Sequence, residues 1–425
     1  MPHFDAEVVD LCGGPGGWDH AATTQLGMDV TGIEADPSAC ETRNAAGLHT
    51  IQDDIRNYSA KDFPKATGLI ASPPCPTFSI AGKGAGRAAM EAVLGGVRSL
   101  AAREHTKYEV IADDTTTLVL EPLRWLIEAH DWGRPFEWIA LEQVPPVLPI
   151  WEAYAEVLRE LGYSVATGNL QAEQYGVPQT RKRAILVARR GVDVALPTPT
   201  HSKYHNRTPD RLDVGVKKWV SMAEAISWGM THRPYPTVAA GTAAGGADPQ
   251  MIGGSGARKT IANERAEGRW IEKAWDPTDL VGFARQADRD DVITLNGNDY
   301  RARDLRDADK PAFVVTEKSR SWSRWQYVNG NQAKSARRDL DQPAPTVHFG
   351  ARLNAVVWEN AVLDESQRER EQVRVSVQEA AVLQSFPPDY PWRGSRTKQF
   401  QQVGNAIPPV MAQAILSAVT GRETA

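Results

Sequence analysis

The feature that most constrains the fold is a short apolar run that breaks abruptly into glycine. Glu7-Val8-Val9-Asp10-Leu11 reads as a buried strand, and Cys12-Gly13-Gly14-Pro15-Gly16-Gly17 follows at once. A helix-like stretch then runs from Trp18 to Leu26. Glycine lets the backbone turn tightly and approach a ligand, and the helix start offers free N–H groups. The alternation recurs. Asp29–Ile33 is strand-like and ends at Glu34, with helix-like sequence to Ala46. Leu69-Ile70-Ala71 closes another strand at Ser72-Pro73-Pro74-Cys75. Leu118–His130 has helical spacing, Trp138–Leu141 is strand-like and ends at Glu142, Trp151–Leu161 is helical, and Ala184–Ala188 is again strand-like. This pattern predicts an open, mostly parallel α/β sheet. Ligands of such sheets sit beyond the strand ends.

The character changes after about Arg190. Residues 195–350 are rich in Pro, Gly, Trp and Arg, with weak periodicity, and Ala239–Ala257 reads as loop. Pro234-Tyr235-Pro236-Thr237-Val238 is echoed by Pro343-Ala344-Pro345-Thr346-Val347, as equivalent strand starts would be. Order returns with a helix at Val377–Phe386, stopped by Pro387-Pro388. Val403-Gly404-Asn405-Ala406-Ile407-Pro408-Pro409 then leads into a last helix through Val419. The expected division is 1–190, an irregular 191–373, and 374–425 folding back onto the first part.

Several residues stand where chemistry would be done. A glycine turn alone is a weak signal for a nucleotide-type cofactor. Glu34, at the end of the second strand, strengthens it, because an acid there commonly holds ribose hydroxyls. One of Asp53 and Asp54 is positioned to accept a hydrogen bond from an adenine amino group. Taken singly, each acid is more often a solvated loop residue. Cys75 stands among Pro73, Pro74 and Pro76, which stiffen the backbone and fix a side chain's direction. A free cysteine is usually a small buried hydrophobe, but a strand-end loop faces the ligand crevice, where a thiolate is a nucleophile. Glu142 follows an apolar strand and is a candidate general acid. In Gln179-Thr180-Arg181-Lys182-Arg183 the two arginines alternate, so an extended strand would turn both to one face, suited to a carbonyl oxygen or a phosphate.

In order, the glycine turn, Pro-Pro-Cys, Glu-x-Val, Gln-x-Arg-x-Arg and Gly-Asn-x-x-Pro-Pro resemble the DNA cytosine carbon-5 methyltransferase family, over roughly 1–190 and 374–425. The resemblance implies a Rossmann-like methyltransferase sheet with a second, irregular target-recognition domain, and S-adenosylmethionine as cofactor. It makes Cys75 the nucleophile on carbon 6 of cytosine and Glu142 the group at ring nitrogen 3. Arg183 becomes the contact to the base carbonyl, with Arg181 beside it. Asp10, Leu11, Gly14, Gly16 and Gly17 match the first cofactor motif, Glu34 the ribose acid, and Asp54 with Ile55 the adenine contact. Pro74 and Asn405 match positions lining the cofactor pocket. Glu379 and Gln384 fall in a segment similar to the one supporting the target-recognition domain. The chain departs from the family pattern at Cys12, where an aromatic residue is usual, at Gln143, where asparagine is usual, and at Pro76, where glutamine is frequent.

A cytosine inside a duplex must be flipped out to be reached. The stretch Ser79–Arg87, with glycine hinges and with Lys83 and Arg87 to meet phosphates, is suited to closing over it. The net charge is -5, from 48 basic and 53 acidic residues, so a DNA enzyme of this composition must concentrate its cations locally. The best such surface is Ser319–Arg338, with Arg320, Arg324, Lys334, Arg337 and Arg338 among Trp322, Trp325 and Tyr327. His201–Lys218 is a second, weaker basic stretch. Double-stranded DNA is the expected partner, with a cognate restriction endonuclease as a further one. An RNA cytosine methyltransferase of the same fold and a non-catalytic DNA-binding relative are the alternatives. The bulk of 195–350 favours a reader of duplex DNA, and the full catalytic set favours an enzyme. The three cysteines include no Cys-x-x-Cys pair, which argues against a disulfide framework or a thiolate zinc site. No run of about 18 apolar residues suggests a membrane span. The expectation is a monomeric cytoplasmic protein without metal.

Overall fold

The computed structural model describes residues 4–74, 85–104, 114–225 apart from 206, 209 and 223, short segments between 281 and 374, and 376–423. Cys75, Lys83, Arg320, Arg324 and the glycine-rich 239–257 lie outside the described residues, as does the side chain of Arg87.

Seven strands form the main sheet: β1 (Val8–Leu11), β2 (Val30–Glu34), β3 (His49–Gln52), β4 (Gly68–Ala71), β5 (Trp138–Gln143), β6 (Tyr163–Gln171) and β7 (Lys182–Arg190). Their order is β3-β2-β1-β4-β5-β7-β6. The pairings among β1 to β5 are parallel, whereas β7 runs antiparallel to both β5 and β6. Every residue of β1, β4 and β5 is buried. Such complete burial, along mainly apolar runs, is that of strands covered on both faces.

The cover comes from the helices α1 (Gly17–His20), α2 (Pro37–Ala45), α3 (Ala85–Ala101), α4 (Glu121–Asp131), α5 (Leu148–Glu160), α6 (Val377–Leu383), α7 (Arg396–Asn405) and α8 (Pro409–Thr420). On one face Trp125, Trp151, Tyr154 and Leu158 pack on Val9, Leu11, Leu69 and Leu141. On the other, Trp18, Met411, Ile415 and Val419 pack on Val8, Ile70, Ala140 and Val187. Alternate strand residues thus feed two separate cores. Full burial of a leucine-sized side chain stabilises by roughly 1.5–3 kcal/mol, so the last helix is integral to the sheet. By length and hydropathy Arg396–Thr420 would suit a membrane span, yet it consists of α7 and α8, broken at Ala406-Ile407-Pro408. Polar side chains set where helices start. Asp36 accepts from the N–H groups of Ser38 and Ala39 before α2, and Ser376 with Glu379 forms a capping box on α6.

Between 281 and 374 the described strands include a four-stranded antiparallel sheet in the order Ala336–Asp339, Trp325–Asn329, Val356–Asn360, Val373–Arg374. The second copy of the Pro-x-Pro-Thr echo starts a strand: Ala344–Pro345 pairs in parallel with Gln179–Thr180.

A buried charge cluster lies beneath the glycine turn. Arg43 of α2 is fully buried, and both of its terminal nitrogens donate to the carboxylate of Asp19, itself fully buried. The same guanidinium donates to the carbonyl of Gly13 and to Thr50 Oγ1 of β3. Burial opposes the charge on Asp19, but Arg43 outweighs it and holds that carboxyl below the ordinary range. Burial, and then the Asp19 charge, push Asp10 well above that range. Neither Asp10 oxygen meets a fixed donor. Burial and the neighbouring Asp19 carboxylate thus favour the protonated form of Asp10.

A carboxyl raised in the folded state binds its proton more tightly than an unfolded aspartate, which releases it above about pH 4. Asp10 contributes less stability as pH rises from there toward its raised folded value. Asp10→Asn, which donates without taking up a proton, is expected to lose less stability than the parent between pH 5 and pH 8 in urea unfolding. An unchanged pH dependence would refute the raised Asp10 carboxyl. Asp19→Asn leaves a buried guanidinium without its counter-charge and is expected to cost about 3–5 kcal/mol.

Candidate active site

The C-terminal ends of the parallel strands form one edge, and the described residues Gly14, Glu34, Pro74 and Glu142 lie along it. At the β1–β2 end the glycine turn is closed from two sides. Gly16 has φ +95°, a left-handed conformation that disfavours side chains. A Cβ on Gly17 would lie 2.3 Å from the carbonyl oxygen of Ile407, so the C-terminal segment touches the turn directly. Tyr390 Oη donates to the Pro15 carbonyl at 2.5 Å. Glu34 spans the turn: Oε2 accepts from the Gly14 N–H at 2.8 Å and Oε1 from the Asp36 N–H at 2.7 Å. Each oxygen retains a second lone pair for a hydroxyl.

The sequence left Asp53 and Asp54 as alternatives, and the structure gives them different partners. Asp53 accepts from the Asp54 N–H, Asn57 and Tyr58, so its carboxylate is taken up in the turn. Asp54 pairs with Arg56 at 2.6 Å, which holds its carboxyl below the ordinary range. Ile55 beside it is buried. Asp10 lies under the turn in the charge cluster. Leu11 contributes its carbonyl, which accepts from the Ser72 N–H at 3.2 Å. Pro74 and Asn405 are exposed. Cys12 takes the left-handed φ of 60° and packs against the edge of the core. Burial, then the negative charge of Glu34, pushes its thiol well up. The residues suited to hold an adenosyl group are therefore Gly14, Glu34, Asp54 and Ile55, at the ends of β1, β2 and β3.

The turn after β4 carries Ser72-Pro73-Pro74 toward Cys75. Two prolines in a row supply no N–H donors, so the turn is held through its acceptors. Trp18 Nε1 donates to Ser72 Oγ at 2.9 Å. Gln143 Nε2 donates to the Pro73 carbonyl, while Gln143 Oε1 accepts from the Val144 N–H. The longer amide at the position where asparagine is usual thus ties the end of β5 to the proline turn.

Glu142 is the neighbouring residue on β5 and is 5% exposed. Arg183 Nε lies 2.7 Å from Glu142 Oε1. Burial lowers the Arg183 guanidinium from its ordinary value, and Glu142 opposes that shift. Arg181, alternate to it, has other partners. It is buried and donates to the carbonyls of Gly404 and Asn405. Burial, and next the charge of Arg183, lower its guanidinium far below the ordinary value. One arginine faces Glu142, and the other fastens the C-terminal segment.

That fastening continues through Gln179, whose amide donates to Gln384 Oε1 and to the Leu383 carbonyl; Gln384 Nε2 in turn donates to the Ala406 carbonyl. Sequence reading missed Arg43, Asp19, Trp18 and Tyr390. Trp18 was legible only as the start of a helix, and Arg43 is a single cation in an amphipathic stretch, with nothing local to mark it as buried.

A model of the C-5 cytosine-specific DNA methylase family matches residues 6–95 and 141–421. Type II methyltransferase M1.HphI of Haemophilus parahaemolyticus is 25% identical, with 98% of this chain and 87% of that protein aligned. Type II methyltransferase M.NgoMIV of Neisseria gonorrhoeae is 23% identical over 96% of this chain and 95% of its own. Among solved structures, S. pombe Dnmt2 methyltransferase superposes with a TM-score of 0.53 at 16% identity, covering 98% of each chain. Entamoeba histolytica methyltransferase EhMeth gives 0.51 at 10% identity, covering 99% of each. These two likenesses concern the fold. The family match over most of the chain, on a sheet edge that unites Glu142, Arg183 and the proline turn, identifies it: the chain belongs to the C-5 cytosine-specific DNA methylase family and is a DNA cytosine methyltransferase.

Proposed function

We propose that the protein transfers a methyl group from S-adenosylmethionine to carbon 5 of a cytosine flipped out of a specific duplex DNA sequence, through a covalent adduct of Cys75. The observation that carries this reading is the Glu142–Arg183 pair at 2.7 Å, on the strand that Gln143 ties to the turn leading into Cys75. Gly14, Glu34, Asp54, Ile55, Pro74 and Asn405 are the residues to hold the cofactor. Glu34 fits a ribose, because its oxygens are already oriented by two backbone N–H groups and can still accept from hydroxyls. When bound, S-adenosylmethionine supplies an electrophilic methyl group.

The chain's own residues do the rest. The Cys75 thiolate adds to carbon 6 of the base. Glu142 gives a proton or a hydrogen bond to nitrogen 3, so the ring electrons move to carbon 5 instead of building charge on nitrogen. Arg183 orients the Glu142 carboxyl and presents N–H donors toward the base carbonyl. Once carbon 5 carries the methyl group its proton passes to solvent water, the freed electron pair forms the double bond to carbon 6 as the Cys75 thiolate leaves, and the nitrogen 3 proton returns to Glu142, restoring the aromatic ring. Lys83 and Arg87 meet phosphates beside the flipped base, and residues 191–373, Arg320 and Arg324 among them, read the target. A monomer in the cytoplasm, paired with a restriction endonuclease of the same specificity, completes the reading. It is supported by two relatives with the words type II methyltransferase in their names.

Expression in cells lacking cytosine methylation, followed by mass spectrometry of nucleosides, is expected to give 5-methylcytosine in DNA. A Cys75→Ser control should give none. A signal confined to RNA, or no difference from the control, would overturn the reading. Glu142→Gln should lower the single-turnover rate by about 10²–10⁴-fold, the usual worth of a positioned acid. Gln143→Leu leaves the Pro73 carbonyl without its donor and is expected to slow the same step by about 10²-fold through misplacement of the turn. Gln143→Asn should recover most of that loss.

A further inference from the structure

Beyond β7 the chain makes an ordered excursion, residues 200–219, within the region proposed to read the target but with no contact yet assigned to it. It is built from the inside. Ser202, Tyr204 and Trp219 are buried, with the two rings edge to face at 5.3 Å. Ser202 N donates to the Lys217 carbonyl at 2.7 Å, and Lys217 N returns a bond to the Thr200 carbonyl at 3.0 Å. Asp213 is used up internally, accepting from the Lys203 N–H and facing His205 Nε2, each at 2.9 Å.

The outside is different. Lys203, Arg207, Arg211, Lys217 and Lys218 are exposed, against one exposed acid among the described residues of the excursion, Asp210. Lys218 is steadied over the Trp219 ring at 4.6 Å. Two apolar side chains stand open beside them: Leu212 is 47% and Val214 100% exposed. In a chain of net charge -5, this is a local excess of cations around a bare hydrophobic point.

Its place in the fold matters as much as its charge. The excursion is seated on the 172–176 turn: Thr200 N and His201 N both donate to the Gln174 carbonyl, and the His201 ring covers Gly176. That turn leaves the C-terminal end of β6, which lies at the same edge as the ends of β1, β2, β4 and β5. It also leads directly into Gln179, Arg181 and Arg183. The glycine turn and Glu34 lie toward one end of this edge, the excursion lies at the other, and Glu142 is between them.

We propose that residues 203–218 form a clamp on the sugar–phosphate backbone of duplex DNA flanking the target base, with Leu212 and Val214 against the sugars. The proposal rests on duplex DNA being the substrate. The complementarity is that of a cationic rim to a polyanion, which carries affinity without sequence information. An apolar point among cations suits a surface that alternates charged phosphates with apolar sugar edges.

The test compares the full-length protein with Arg211→Gln/Lys217→Gln/Lys218→Gln and with Val214→Ser, using a fluorescent duplex titrated over a range of salt concentrations. Removing one cation that neutralises a phosphate should reduce the slope of log affinity against log salt by about 0.9. The triple variant is expected to lose about 2–3 in slope and at least tenfold in affinity, to a similar extent on target and non-target duplexes. The KM for DNA should rise far more than kcat falls, and the methylated positions should not change. Val214→Ser should weaken binding with no change in slope. Arg134→Gln, an exposed cation just before β5 at the opposite edge, serves as the control and should change nothing. An unchanged slope and affinity in the triple variant, with folding verified by its melting curve, overturns the clamp. A loss of RNA binding alone, or a change in oligomeric state instead of in DNA binding, overturns it as well. If the parent protein itself makes no 5-methylcytosine in duplex DNA, the fault lies with the underlying reading.

Discussion

The Arg43–Asp19 pair is the point through which the N-terminal half of the sheet is held together. One guanidinium reaches the start of the first helix, the carbonyl of the glycine turn and β3. Its cost is the removal of a full charge from water, and excellent geometry is the only way to offset it. The cluster meets that demand by giving nearly every donor of the guanidinium a partner. Burial, and then the Asp19 charge, raise the neighbouring Asp10 carboxyl. The glycine turn above is thereby fixed from below by charge and from the side by the Tyr390 hydroxyl.

Much of the sheet could be read from the sequence because its signals are local. Mainly apolar runs marked β1, β4 and β5, glycine marked the first turn, and acids at strand ends marked Glu34 and Glu142. The reversal of β7 was not visible, because an apolar strand such as Ala184–Ala188 carries no sign of its direction. Arg181 and Arg183 were legible as a pair, but their different partners were not. Which carbonyl or carboxylate an arginine meets depends on segments more than 200 positions away. The Asp53 and Asp54 alternatives resolved for the opposite reason. Their partners Asn57, Tyr58 and Arg56 lie within a few residues, but hydrogen-bond geometry, not residue type, decides between them.

Gln143 illustrates how a departure from a family pattern can preserve its physics. A proline-rich turn has carbonyls and no donors, so its orientation must be imposed by side chains that donate. Trp18 and Gln143 do so from opposite sides, one from the helix after β1 and one from the end of β5. The extra methylene lets a single amide serve both Pro73 and the next N–H of its own strand.

The contact of Ile407 with Gly17 and the bond from Tyr390 to Pro15 join segments 375 positions apart in the latter case. Contacts of that separation form late, because the loop they close must lose its freedom first. A growing polypeptide emerging from the ribosome has its glycine turn near the start of synthesis. It cannot complete the wall of that turn until the intervening residues 191–373 have also been made. Assembly order therefore keeps the crevice unfinished in a product that stops short of Tyr390, and the site is closed only in a chain that already carries its whole middle region.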